Sequence, residues 1–72
     1  DYTVVRPGRL TVTIHDLRGR LVRTLLDGPV TTGGSLDWDG TDEAGRQTAS
    51  GVYFYLVRMD DQSTVGKLAL IR

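Results

Sequence analysis

The chain contains no cysteine, so neither a disulfide nor a thiolate metal site is available to it. It has one lysine, Lys67, one glutamate, Glu43, and few alanines, which are the residues that stabilise exposed helices. No apolar run approaches the length of a membrane span, and no signal-peptide pattern is present. Neither sign of charge dominates. Nine basic residues balance nine acidic ones, leaving no electrostatic footprint for nucleic acid or an anionic membrane. A single histidine and no nucleophile motif leave little for catalysis.

What remains suits strands and turns: Thr, Val, Gly and Asp. Seventy-two residues make one domain spanning 1–72. At that size about 60% of the unfolded surface can be buried, so stability is marginal. Leu10-Thr11-Val12-Thr13-Ile14-His15 alternates apolar and polar residues, which predicts a half-buried strand with Val12 and Ile14 inward. Asp16-Leu17-Arg18-Gly19 reads as a tight turn. Arg20 to Leu26 is the return strand. Val22 and Leu25 are its anchors, and their three-residue spacing predicts a bulge or strong twist. Asp27-Gly28-Pro29 is expected to end it.

Ser35 to Asp39 alternates again, with Leu36 and Trp38 inward. Gly40 to Ser50 is a loop with a short strand near Gln47 and Thr48. Gly51 to Met59 is the longest strand. Asp60 to Ser63 is a turn, and Thr64 to Ile71 the last strand, with Leu68 and Leu70 in the core. Asp1 to Arg6 reads as a truncated first strand, whose Tyr2 and Val4 sit at an open sheet edge able to accept another strand. No internal repeat is evident.

On the long strand, Tyr53, Tyr55 and Val57 share one face and Val52, Phe54 and Leu56 the other. Both faces are apolar, where a half-buried strand should show one polar face. Tyr53 and Tyr55 join Trp38 as core filling, and Val52, Phe54 and Leu56 make a face that is either covered, with the strand central in its sheet, or a contact surface. Asp37, Asp39, Asp42 and Glu43 crowd four carboxylates into seven positions. They are weak calcium candidates, because the spacing is not that of an EF-hand loop. The competing reading is that Asp39 and Asp42 bond backbone amides to shape turns. No other metal or cofactor site is indicated.

Gly19-Arg20 after an aspartate-led turn, Trp38-Asp39-Gly40, Asp42, Gly45-Arg46, Ser50-Gly51-Val52-Tyr53 and Lys67-Leu68 occur in that order. The set resembles the Ig-like domain of the bacterial flagellar hook-capping protein. It is also similar to the C-terminal Ig-like domains of secreted bacterial proteins, including sorting domains read by the type IX secretion system. Such relatives often carry a charge at the position of Leu56, which is apolar here. The resemblance implies an all-β, Ig-like antiparallel β-sandwich of about six or seven short strands without an active site. It implies a non-catalytic C-terminal module, extracellular or at the bacterial cell surface, serving export, anchoring or assembly. Its partners would be the secretion or anchoring machinery, reading the tail from Thr64 to Arg72 with Lys67. The alternative is a filament or sheath subunit pairing with other copies of itself. No contact with nucleic acid and no membrane insertion is expected.

Overall fold

The computed structural model describes residues 8–30, 37–60 and 62–71. They form four strands: β1 (Gly8–His15), β2 (Leu21–Val30), β3 (Gly51–Met59) and β4 (Gln62–Leu70). All pairings are antiparallel, and the order across the sheet is β2-β1-β3-β4. The chain is therefore all-β, as its alternation predicts.

The β1–β2 turn is built by Asp16. Its Oδ1 accepts the backbone N–H groups of Arg18 (2.9 Å) and Arg20 (3.0 Å), and its Oδ2 accepts Arg20 Nε–H (3.1 Å). Gly19 closes the turn at φ 82°, a left-handed conformation that glycine adopts without a Cβ clash. Within β2 the register against β1 slips twice. Leu26 faces Val12 but Thr24 faces Thr13, leaving Leu25 extra. Arg23 faces Ile14 but Leu21 faces His15, leaving Val22 extra. These are the two positions whose spacing departs from alternation, and each extra residue is a bulge that twists the strand.

Three sequence expectations need correction. First, β2 does not end at Asp27 but runs to Val30, with Gly28 opposite Leu10 and Pro29 opposite Arg9. An edge strand tolerates the proline, and Arg9 Nη2 holds Asp27 Oδ1 at 2.7 Å. Second, the β3–β4 turn is shorter than Asp60 to Ser63. Met59 already pairs with Gln62 and Arg58 with Ser63, so the loop has two residues, with Asp60 at φ 53°. Third, in the loop before β3, Asp37–Asp39 is not a strand. The described residues hold four antiparallel strands in one sheet, consistent with an Ig-like all-β chain. The Asp39 carboxylate takes the backbone N–H and hydroxyl of Thr41 (3.1 and 2.5 Å), a local turn that competes with ladder pairing. The short strand expected near Gln47 is a single bridge, Thr41 to Gln47. Tyr2, Val4 and Leu36 lie outside the described residues.

The turn at Asp42 repeats the one at Asp16. Asp42 Oδ1 accepts from the Ala44 and Arg46 backbone (2.9 and 3.0 Å), Oδ2 accepts Arg46 Nε–H (3.3 Å), and Gly45 sits at φ 80°. Asp16-Leu17-Arg18-Gly19-Arg20 and Asp42-Glu43-Ala44-Gly45-Arg46 are thus one five-residue device used twice, an internal repeat too short to stand out by period. The second copy docks on the bulged part of β2: Glu43 N–H donates to Val22 O (3.0 Å), Thr24 N–H to Glu43 Oε1 (2.5 Å), and Arg23 Nη1 to Asp42 O (2.7 Å).

The core lies on the sheet face that carries Leu10, Val12, Ile14 and Tyr53, which are 2, 6, 1 and 8% exposed. Tyr55, Val57, Met59, Leu68 and Leu70 share that face by register and are half-buried, as is Val22 in its bulge. Trp38, half-buried, meets Tyr53 edge-on, with ring centroids 4.9 Å apart at 68°. Its Nε1–H donates to Thr41 O (2.8 Å), and the Tyr53 hydroxyl donates to Ala49 O (2.6 Å), so both aromatic polar groups are satisfied.

Candidate functional site

The opposite face of the sheet follows from the same register. On β1 it carries Thr11, Thr13 and His15, with the Thr13 hydroxyl 2.9 Å from His15 Nε2. On β3 it carries Val52, Phe54, Leu56 and Arg58, and on β4 Ala69, Lys67, Val65 and Ser63. Phe54 pairs with His15 and Lys67, and Leu56 with Thr13 and Val65. Phe54 and Leu56 are half-buried, while Val52 is 41% and Val65 64% exposed. Leu17, at the tip of the β1–β2 turn, is 67% exposed and is among the residues lining a depression of about 300 Å³. Phe54, Leu56, Val65, His15 and Asp16 also line the depression.

This surface joins neighbouring apolar side chains across two strands and a turn. Single exposed apolar residues are ordinary on a soluble domain, but a contiguous patch with a polar margin is what a protein contact requires. Lys67 and Arg58 stand exposed beside Phe54 and Leu56 and give the β4 side a positive margin.

The acidic loop is arranged for a different task. Asp39, Asp42 and Glu43 direct carboxylate oxygens at Thr41, at Ala44 and Arg46, and at Thr24. Asp37 is exposed. Among the described residues, no three acidic or histidine side chains gather where one cation could be held. The Arg20 backbone N–H is the main influence holding the Asp16 carboxyl below the ordinary carboxylate range; desolvation opposes it, and the Arg18 backbone N–H and the Arg20 guanidinium add to the lowering. The Thr41 hydroxyl does the same for Asp39, and the Arg46 backbone N–H for Asp42.

A pH dependence follows. A carboxyl with a depressed folded pKa adds stability above its unfolded pKa and loses it as pH falls through the folded value. The urea midpoint should therefore hold level from neutral pH down to about pH 5 and fall below about pH 4. Asp42→Asn should lower the midpoint at pH 7 and make the acid decline shallower. Equal slopes for the two proteins would contradict this assignment.

The model of the FlgD Ig-like domain family matches residues 7–63, which is most of the chain. The chain belongs to that family. No curated protein and no solved structure matches it. The matched span of this FlgD-type Ig-like domain includes β1, β2, both aspartate-led turns and β3. All of β4 beyond Ser63 lies outside the match.

Of the residues singled out from sequence, Val52, Phe54 and Leu56 share the outer face of the FlgD-type domain, with Lys67 beside Phe54. Two contributors escaped the sequence reading. Val65 sits in a run whose alternation is weak, and only its pairing with Leu56 reveals its face. Leu17 is in a turn, where strand periodicity gives no signal.

Proposed function

We propose that this is a non-catalytic protein-docking module of a bacterial flagellar hook-associated protein, working outside the cell. The observation that carries it is the contiguous apolar surface of Leu17, Phe54, Leu56 and Val65 on the outer face. Membership of the FlgD Ig-like family supports the hook association. The module is, in this reading, an Ig-like sandwich of about six or seven short strands. The near-complete burial of Leu10, Val12 and Ile14 supports a second layer, since one face of a lone sheet would leave them wet. The export or anchoring role of such modules is a further use of the same contact surface. We read the domain as having no reaction to perform: His15 bonds Thr13, the neighbouring Asp16 carboxylate is taken up by Arg18 and Arg20, and among the described residues no set of acid, base and nucleophile is assembled.

Leu56→Asp tests the reading. The side chain is on the outer face, so the core is untouched and the far-UV circular dichroism and melting profile should be retained. Placing a charge at the centre of the patch should weaken binding to purified flagellar hook subunits by about tenfold or more. Equal affinity of the folded variant and the parent would sink the proposal.

A further inference from the structure

The two edges of the sheet are not alike. The β2 edge carries two bulges and Pro29, and the Asp42 turn occupies Val22 O and Thr24 N–H. These are the devices by which natural sheets prevent strand addition. Among the described residues the β4 edge has no bulge, proline or covering loop, and Lys67 is its one guarding charge. Its nine pairs with β3 run without a register shift. Among the described residues no further strand lies against it.

The hydrogen-bonding phase of β4 is fixed by its turn. Met59 and Gln62 close a two-residue loop, so they are a hydrogen-bonded pair. Alternation then points the backbone groups of Thr64, Gly66 and Leu68 toward β3. Ser63, Val65, Lys67 and Ala69 present theirs outward. The same four side chains lie on the outer face, so a strand added here would extend the Leu56–Val65 patch by one column. On the other face Gly66 supplies no side chain. The Tyr55 ring fills its place, since a Cβ at Gly66 would lie 2.1 Å from Tyr55 Cζ and Oη. The phenol thus reaches over β4 toward the edge.

We propose that the β4 edge accepts an extended segment of a partner protein as an additional strand. That segment carries a carboxylate opposite Lys67 and an apolar residue opposite Val65. The charge assignment follows from what is already neutralised. Asp27 is held by Arg9 and Asp16 by Arg20, whereas no carboxylate is paired with Lys67 or Arg58 among the described residues. A second copy of β4 fits less well, because Gln62–Leu70 contains no acid and would bring only another lysine. The inference rests on the docking role proposed above and specifies the form the partner takes.

The probe is the blocked peptide Ser-Thr-Glu-Thr-Val-Thr-Ser, which on antiparallel addition sets its glutamate opposite Lys67 and its valine opposite Val65, titrated into the full chain and followed by backbone amide resonances. The expected result is saturable shifts and slowed exchange at Val65 and Lys67. Replacing the peptide's glutamate with lysine should weaken binding about fivefold. Val65→Pro should abolish binding while the fold survives, because the lost N–H faces outward from an edge strand. If that variant fails to fold, a peptide N-methylated on the backbone amides that face β4 serves instead and should not bind. Peptide shifts confined to β2, or equal binding by the proline variant, would overturn the proposal. So would a concentration-dependent dimer that Val65→Pro removes, since that would assign the edge to self-pairing. If hook-subunit binding responds to Leu56→Asp while the peptide does not bind, the strand-addition proposal fails and the docking reading stands. If the peptide binds and Leu56→Asp changes nothing, the reverse holds.

Discussion

Ile14→Ala is expected to remove about 2–5 kcal/mol of stability, out of a total of roughly 4–11 kcal/mol for 72 residues at the usual figure per residue. Ile14 is 1% exposed and is the largest fully buried side chain among the described residues. It sits on β1, a central strand, with Arg23 opposite on β2 and Tyr55 opposite on β3. Truncation removes buried methyl groups and leaves a cavity at the junction of three strands, where hydrogen-bonded ladders resist collapse. Ile14→Val should cost only about 0.5–1.5 kcal/mol. Urea denaturation at pH 7 measures both. A loss below about 1 kcal/mol for the alanine variant would mean that this face is not the core.

Gly66→Ala is expected to destabilise by about 1–3 kcal/mol, against the usual preference of strands for alanine over glycine. The cause is steric. The new Cβ would fall 2.1 Å from Tyr55 Cζ and Oη, so the half-buried ring must leave its place across β4. Gly19 and Gly45 differ in kind: nothing lies within 4 Å of a Cβ there, and their glycine is required by φ values of 82° and 80°. The mechanism is checked by a double-mutant cycle. In a Tyr55→Ala background the Gly66→Ala substitution should cost little or become favourable, a strong departure from additivity. Equal costs in both backgrounds would exclude the ring as the cause.

How far the sequence foretold the structure depended on whether the deciding contact was local. β1 was legible because Leu10, Val12 and Ile14 alternate with polar partners, and β3 because Gly51 and the Asp60 turn bracket an aromatic run. The bulges of β2 were legible from the spacing of Val22 and Leu25. The continuation of β2 through Pro29 was not, since tolerance of a proline depends on the strand being at an edge, which is a property of the sheet order. Ser35 to Asp39 alternates like a strand, yet in its described part Asp39 turns the backbone onto Thr41 instead.

The outer face was partly legible for the same reason. Val52, Phe54 and Leu56 stand out because they are apolar on the face of β3 opposite Tyr53, Tyr55 and Val57, where a half-buried strand would be polar. Val65 and Leu17 join them only through register and the fold of a turn. The acidic cluster read ambiguously, because a carboxylate that shapes a turn and one that binds a cation look alike until its hydrogen-bond donors are known. Here those donors are the N–H groups of Thr41, Ala44, Arg46 and Thr24.

The docking claim is tested most directly by mapping amide resonances of the labelled domain during titration with purified flagellar hook subunits. The account predicts perturbations centred on Val52, Phe54, Leu56 and Val65, with the loop of Asp37, Asp39, Asp42 and Glu43 unchanged. Perturbations confined to that loop and β2, with the outer face silent, would contradict it.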